Sequence, residues 1–356
     1  MNRAGSLVGL VLLGFLVALP SSASPPLALE ATQEVGSLAD KARPAMVRVD
    51  CRRRSITRAL DRHQAPLVIS FRGTCVEDVF IDRDRITLQG EDATAVIQGS
   101  VTVSGASEVL LEGFAVRNGP GNCVVVVRNS GAILRNLSVD HCGVNGILAV
   151  GSSQVFLMGT ISSTDNGQGG MTITNASNVT LGGGSAVTLD RNGFGLILQL
   201  SSSATLLPGT LTANDNGGPG IVLASGGHVQ EISRNMEATG NAGPGAMVSD
   251  GSSWVTTPAT GVTRDFSDNG GAGIVVERGA VIDFAGTPTV ASGNTGPGLH
   301  GDDGILQVGD LTAQGNGGVD VRLDFGSRAT FVGTSNQVGT AECDDSSAAR
   351  GTLSCS

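Results

Sequence analysis

Five charged residues near the end of the chain have side chains suited to acid–base or metal chemistry. His300, Asp302 and Asp303 stand together in LHGDDG, and Asp320 and Arg322 follow in VDVR. An imidazole can transfer protons near neutral pH, carboxylates can transfer protons or bind calcium, and a guanidinium can orient an acidic sugar. These five residues form the candidate catalytic group if the elements that carry them bring them together.

A repeat of about 25 residues supplies those elements. Each repeat has an asparagine, a glycine-rich corner and short β-branched runs in which apolar residues alternate, and there is no room for a helix in each repeat. The pattern predicts an all-β fold, a single-stranded right-handed parallel β-helix. Stacked asparagines can hydrogen-bond from coil to coil about 4.8 Å apart, so we assign them to structure rather than to ligand binding. They are Asn166, Asn192, Asn216, Asn241, Asn269, Asn294 and Asn316.

Alternation along the strand after each corner predicts which side chains face solvent. In the last coils this alignment places His300 beside Asp320 and Asp302 beside Arg322. A solvated row of salt bridges is the alternative to a functional site, and the sequence favours that alternative.

An apolar stripe occupies the outward positions in the middle of the repeat. It consists of Ile197, Val222, Met247 and Val275 in successive coils. Exposed stripes of this kind indicate a contact surface or a face that is covered by another segment. We expect the stripe to be covered by a loop or a partner; the alternative is that it lines a ligand groove.

The ends of the chain predict export. Residues 1–23 have the charge, apolar stretch and small residues of a cleaved signal peptide, so we expect a secreted, periplasmic or cell-surface protein with no membrane span after signal removal. Residues 24–45 are predicted to be a linker, 46–342 the β-helix domain and 343–356 a C-terminal cap. Ser55 is predicted to cap a short helix, ITRALDR, which covers the first coil.

Six cysteines in an exported chain favour disulfides over metal ligands. Pairing the cysteines in sequence order gives one disulfide between residues one coil apart and one that closes the C-terminal loop. The two cysteines that remain form the third pair. The predicted pairs are Cys51–Cys75, Cys343–Cys355 and Cys123–Cys142.

Charge and composition exclude some partners. The net charge is −10, and from residue 141 onward seven Arg face eighteen Asp or Glu, which makes nucleic acid an improbable partner. Aromatic residues make up 3% of the chain and tyrosine is absent, which disfavours a sugar-binding surface paved with rings. The other histidines, His63, His141 and His228, are assigned to surface or turn positions.

The stretch FRGTCVEDVFIDRDRITLQG and the N-x-G-x-G-I coils resemble the right-handed β-helix repeat proteins of the pectin-lyase-like superfamily, over roughly residues 46–340. The superfamily includes pectate lyases, polygalacturonases, alginate epimerases, surface adhesins and members without an assigned role, so the resemblance implies the fold and does not by itself assign a function. The chain lacks the Gly-His-Gly of polygalacturonases and the Asp-Pro-His-Asp of alginate epimerases. No cofactor is evident, and calcium is implied only by the loose likeness of the candidate catalytic group to the acidic cluster of pectate lyases.

Three functions follow as hypotheses. The leading one is binding of extracellular polysaccharide or another cell-envelope component. The second is a polysaccharide lyase or hydrolase that acts on an acidic glycan, with Asp302, Asp303 and Asp320 as metal ligands or acids and His300 or Arg322 as base. The third is a structural or adhesive rod that docks a protein partner through the apolar stripe. The sequence leaves open whether the protein is an enzyme and how it oligomerises.

Overall fold

A computed structural model describes residues 43–353 of the chain. The predicted signal peptide, the linker up to residue 42 and Cys355 lie outside these residues. All strand pairings are parallel, and strands pair with their counterparts in the next coil. The chain forms about 13 turns of an all-β right-handed parallel solenoid, which confirms the predicted fold.

Each coil contributes up to three strands, so the solenoid has three faces, which the chain passes in the order A, C, B. Face A consists of Ala45–Asp50, Leu67–Arg72, Ile86–Gly90, Val109–Glu112, Gly131–Asp140, Gln154–Thr164, Asn178–Leu181, Ser203–Leu206, His228–Ile232, Ser253–Thr257, Val281–Phe284, Ile305–Gly309, Arg328–Val332 and Ala348–Gly351. Face B consists of Val79–Ile81, Val101–Ser104, Val124–Val127, Ile147–Val150, Gly169–Ile173, Phe194–Leu198, Ile221–Leu223, Ala246–Val248, Ile274–Glu277, Leu299–Asp302, Val321–Asp324 and Ala341–Cys343. Face C consists of Thr74–Val76, Val96–Gln98, Ala115–Arg117, Ser185–Thr188, Gly209–Thr212, Arg234–Glu237, Arg264–Asp265, Thr289–Val290, Leu311–Ala313 and Gln337–Val338.

Faces A and C form one 24-stranded sheet. Two long strands, Gly131–Asp140 and Gln154–Thr164, run through the corner between these faces and pair with strands of both. Face B is a separate 12-stranded sheet.

Alternating side chains fill the interior. On face B, Ile221 and Leu223 are buried while Val222 between them is half-exposed, and the same alternation recurs in most coils. Removing these aliphatic side chains from water stabilises the solenoid, at about 25 cal/mol per Å² of apolar surface. Thr172 departs from the predicted alternation: it lies at an outward position but is buried, and its hydroxyl donates a hydrogen bond to Asn145 Oδ1 at 2.8 Å.

The predicted N-terminal helix spans Ile56–Arg62. Its N-cap Ser55 accepts a hydrogen bond from Arg58 N at 3.0 Å, as expected for this position. Ile56, Ala59 and Leu60 are buried, and the helix contacts strands Ala45–Asp50, Leu67–Arg72 and Val79–Ile81. The predicted cover of the first coil is therefore present.

Two predicted disulfides are confirmed. Cys51 pairs with Cys75 at a Cα separation of 4.8 Å, and Cys123 with Cys142 at 5.7 Å. The pair Cys343–Cys355 stays a prediction, because Cys355 lies outside the described residues. Strand Ala348–Gly351 pairs with Arg328–Val332, so the predicted C-terminal cap begins within the last coil. In residues 43–353, none of the helical structure is long and apolar enough to span a membrane.

Candidate functional site

The repeated asparagines form a buried ladder at the corner that precedes face B. Asn216 donates from its backbone N and from Nδ2 to Asn241 Oδ1, both at 2.9 Å, and Asn241 makes the same pair of bonds to Asn269 at 3.0 Å. Asn166 is the first asparagine of the ladder. Cys142 takes the equivalent corner in the coil before it and donates its backbone N–H to Asn166 Oδ1. The ladder therefore explains the asparagines structurally, as the sequence analysis predicted.

The candidate catalytic group is in a different register from the one predicted. His300 pairs with Arg322, and Asp302 pairs with Asp324. Asp320 is 6% exposed, and its Oδ1 accepts from Asn316 N and Nδ2, so it ends the asparagine ladder. The prediction that His300 stacks on Asp320 is wrong. The first inward residue follows Asn316 by five residues, as it follows Asn294, but Asp320 takes the place that Gly298 has in the preceding coil.

The side chains that do meet at this end of face B are those of His300, Arg322 and Asp324. His300 Nε2 lies 3.2 Å from Asp324 Oδ2, and Arg322 Nε donates to the same oxygen at 2.6 Å. Asp303 follows the strand with φ 56° and is exposed. Asp324 was not among the predicted site residues because the predicted register placed the strand two residues too early.

Carboxylates dominate the surroundings of this group. Glu277, Asp302 and Asp324 occupy the same outward position in successive coils. Arg278 offsets part of this charge, because its Nη2 lies 2.6 Å from Glu277 Oε1. Its Nε also contacts Asp250 Oδ1 at 2.6 Å, which holds the pKa of Asp250 below its usual range. In the described part of the chain, no three His, Cys, Asp or Glu side chains are grouped so as to hold a metal ion. Calcium binding stays a prediction.

The predicted apolar stripe lies in register on face B. Ile197, Val222, Met247 and Val275 pair in sequence, and each is half-buried. The stripe leads directly into His300, which pairs with Val275. Its role as a docking surface stays a prediction.

Face A carries two adjacent rows of outward side chains that the sequence analysis did not single out. The rows run parallel to the solenoid axis, with one residue of each row in each coil. The polar row is Gln154, Asn178, Ser203, His228 and Ser253. The central row is Ile133, Phe156, Thr180, Thr205 and Gln230.

A shallow groove of about 290 Å³ lies where the two rows begin. Phe156, Gln154, Asn178 and Thr180 line it, together with Ile133 and the edges of neighbouring strands. The Phe156 ring is half-exposed and offers an apolar surface. Ser203 Oγ donates to Asn178 Oδ1, and Asn178 Nδ2 has no acceptor among residues 43–353, so it can donate to a ligand. The side chains of Gln154 and Thr180 make no hydrogen bond to the described residues and are available to one.

The two rows differ from face B in charge. They contain no carboxylate and no guanidinium. Among the residues that line the groove, the acidic one is Glu108. His228 uses Nδ1 to contact Ser253 Oγ at 2.7 Å within the polar row. Face A thus presents amides and hydroxyls in the same coils where face B presents the apolar stripe, and the Phe156 ring lies one coil before the stripe begins.

A sequence signal for these rows exists. The second run of each coil reads SNVTL, SSATL, GHVQE and SSWVT, and its second and fourth letters are mostly polar. Alignment of this run, in addition to the run after the asparagine, recovers the polar row. Phe156 could not be singled out in this way, because its neighbours in the central row are chemically varied.

Comparisons with known proteins agree with the observed architecture. Residues 99–260 match the family model described as "Right handed beta helix region". No curated protein matches the chain in sequence.

Similar solved structures include two Azotobacter vinelandii proteins, the A-modules of mannuronan C-5 epimerases AlgE6 and AlgE4. They are 16% and 14% identical, with TM-scores of 0.43 and 0.44, and each alignment covers 83% of this chain and 93% of the module. The enzymatically active domain of tailspike protein 2 from bacteriophage CBA120 is 11% identical with a TM-score of 0.46, over 68% of this chain and 43% of that one. Such distant likenesses say nothing about activity. The parallel three-faced ladder shows that the chain folds as a right-handed parallel β-helix, and the family match over residues 99–260 agrees with this fold.

Proposed function

We propose that the protein binds a linear, uncharged, hydroxyl-rich polysaccharide along face A. One observation carries this proposal: the polar row and the central row lie side by side and in register over successive coils. Coils of a parallel β-helix repeat at about 4.8 Å, so a polymer lying along the axis meets similar side chains again and again.

The chemistry of the groove suits a sugar ring. Asn178 and Gln154 offer amide donors, Gln154 also offers a carbonyl acceptor, and Thr180 offers a hydroxyl, all of which can pair with sugar hydroxyls. The apolar face of a sugar can pack on the half-exposed Phe156 ring. One accessible ring is sufficient here, although the scarcity of aromatic residues disfavours a surface paved with rings.

Charge selects against an acidic polymer on this face, because the rows offer no guanidinium or ammonium group to pair with its carboxylates. The two disulfides support an extracellular or periplasmic location, where they persist. A cell-envelope or extracellular polysaccharide is therefore the partner that we propose.

A second candidate function is hydrolysis or lysis of a glycan at the C-terminal end of face B. The contact between His300 Nε2 and Asp324 Oδ2 favours it, because a carboxylate can orient an imidazole for proton transfer. In this alternative His300 is the base and Arg322 orients the substrate. Asp320 takes no part, because it is buried in the asparagine ladder.

A polysaccharide screen of the mature protein tests both proposals. We expect neutral polysaccharides to bind without calcium, oligomers that span more coils to bind more tightly, and no unsaturated uronate product to form. The measurements are calorimetric titration, with and without calcium, and ultraviolet absorbance of the product. Product that forms from an acidic glycan and disappears in His300→Ala would instead make the protein an enzyme with its site on face B.

A further inference from the structure

The N-terminal end of the solenoid has a cleft between strand Ala45–Asp50 and the helix Ile56–Arg62. Its volume is about 630 Å³. Arg53, Arg54, Arg58 and Arg62 line it, together with His63. Four arginines therefore converge on one cleft of a protein whose net charge is −10.

These arginines differ from their neighbours in having no acidic partner among residues 43–353. Next to the cleft, Arg48 makes a bidentate ion pair with Glu91 at 2.7 and 2.9 Å, and Arg72 pairs with Asp50 at 3.0 Å. By contrast, the four arginines of the cleft are exposed and form no ion pair with any described residue.

Most of the cleft arginines are not needed to satisfy the backbone groups at the two ends of the helix. Glu77 accepts hydrogen bonds from Ile56 N and Thr57 N and so satisfies the helix N-terminus. Arg83, which lies outside the cleft, donates to the carbonyls of Leu60 and His63 at the C-terminal end. Of the cleft arginines, only Arg62 lies in the last turn, where a cation complements the helix dipole.

Repulsion among the four arginines raises the free energy of the protein when no anion is bound in the cleft. Arg58 and Arg62 lie four residues apart on the same helix face, where like charges repel. Arg53 and Arg54 add two more cations to the same cleft. A bound anion removes this repulsion, and guanidinium groups match the oxygens of phosphate in bidentate geometry.

We propose that this cleft binds a ligand that presents a phosphate group. Val47, Val49 and Ala59 form an apolar part of the lining, which fits a phosphate attached to an apolar body. Such a phosphate can come from a lipid headgroup or from a soluble phosphorylated molecule. The site is separate from the rows on face A, so it acts independently of polysaccharide binding.

Two probes and two matched variants test the site. Inorganic pyrophosphate is titrated by calorimetry, and vesicles of phosphatidylglycerol with phosphatidylcholine are compared with vesicles of phosphatidylcholine alone, at constant salt because screening weakens such contacts. The test variant is Arg54→Gln with Arg58→Gln. The control is Arg328→Gln with Arg350→Gln, which removes two exposed arginines from the other end of the described chain.

We expect pyrophosphate to bind the wild type, to bind the test variant at least about tenfold more weakly, and to bind the control within about twofold of the wild type. Vesicle binding that depends on phosphatidylglycerol and is lost in the test variant supports the site with a lipid as source. Pyrophosphate binding without vesicle binding supports it with a soluble ligand as source. The proposal is overturned if neither probe binds, or if the test and control variants weaken binding equally. Thermal unfolding midpoints close to that of the wild type show that both variants fold.

Discussion

Replacement of Glu231 by alanine is expected to lower the free energy of unfolding by about 3–5 kcal/mol. Glu231 points into the core from face A and is fully buried, where its coil neighbours Leu181 and Leu206 are aliphatic. Arg264 Nη2 donates to Glu231 Oε1 at 2.8 Å and Arg264 Nε to Oε2 at 3.0 Å. Without the carboxylate, a buried guanidinium remains without its counter-ion.

The surroundings of this ion pair sharpen the expectation. Trp254 Nε1 also donates to Glu231 Oε2, and Arg264 lies over the Phe284 ring at 5.0 Å from its centroid. The indole and the guanidinium would both lose their acceptor in Glu231→Ala.

A double variant provides the control for this prediction. Glu231→Leu with Arg264→Met removes both charges and leaves only the Trp254 indole without its acceptor, so we expect it to be clearly more stable than Glu231→Ala. Denaturant unfolding followed by tryptophan fluorescence measures both, since Trp254 is the single tryptophan. A loss under about 1 kcal/mol in Glu231→Ala would contradict the account of the buried pair.

Replacement of Arg234 by leucine is expected to cost about 3 kcal/mol of stability. The side chain is fully buried near the corner between faces A and C and bridges three coils. It donates to the carbonyls of Leu207 and Thr210 at 2.7 Å, and to Gly182 O at 3.1 Å in the coil before. Burial lowers the pKa of Arg234 to about 10, so the group stays charged at neutral pH. Leucine would leave these carbonyls without a donor.

The exposed pair Arg191–Asp165 offers the comparison for Arg234. Its Nη2–Oδ2 distance is 2.9 Å, and Arg191 is 55% exposed, so Arg191→Leu is expected to change stability by less than about 1 kcal/mol. Equal losses for Arg191→Leu and Arg234→Leu in denaturant unfolding would mean that the buried contacts of Arg234 contribute little.

The repeat made the fold predictable, and the two core ion networks were not predictable from it. The asparagine corners and alternating strands fix the period and the inward side, because register in a parallel sheet follows the hydrophobic pattern. Glu231, Arg234 and Arg264 break that pattern. They are tolerated because they satisfy each other or satisfy backbone carbonyls across 24 to 53 residues of sequence, and such pairing cannot be read from local sequence.

The candidate sites were predictable to different degrees. His300 and Arg322 were found from residue type, but their partner Asp324 was missed because Asp320 replaces the second glycine of the last corner, which hid the register. The polar row on face A was missed because its side chains are ordinary turn and strand residues. They become a surface only when several coils stack them. Phe156 was missed because nothing in the sequence shows that its ring lies in a groove beside polar side chains.

A comparison of two double variants in one polysaccharide titration tests the central claim most directly. Phe156→Ala with Asn178→Ala removes the ring and an amide from the groove on face A, and Ile197→Ala with Val222→Ala truncates two half-buried side chains on face B. With the neutral polysaccharide that binds the wild type best, we predict at least about a tenfold loss of affinity for the face A variant and less than about a twofold change for the face B variant. An unchanged affinity for the face A variant, or an equal loss in the face B variant, would contradict the account.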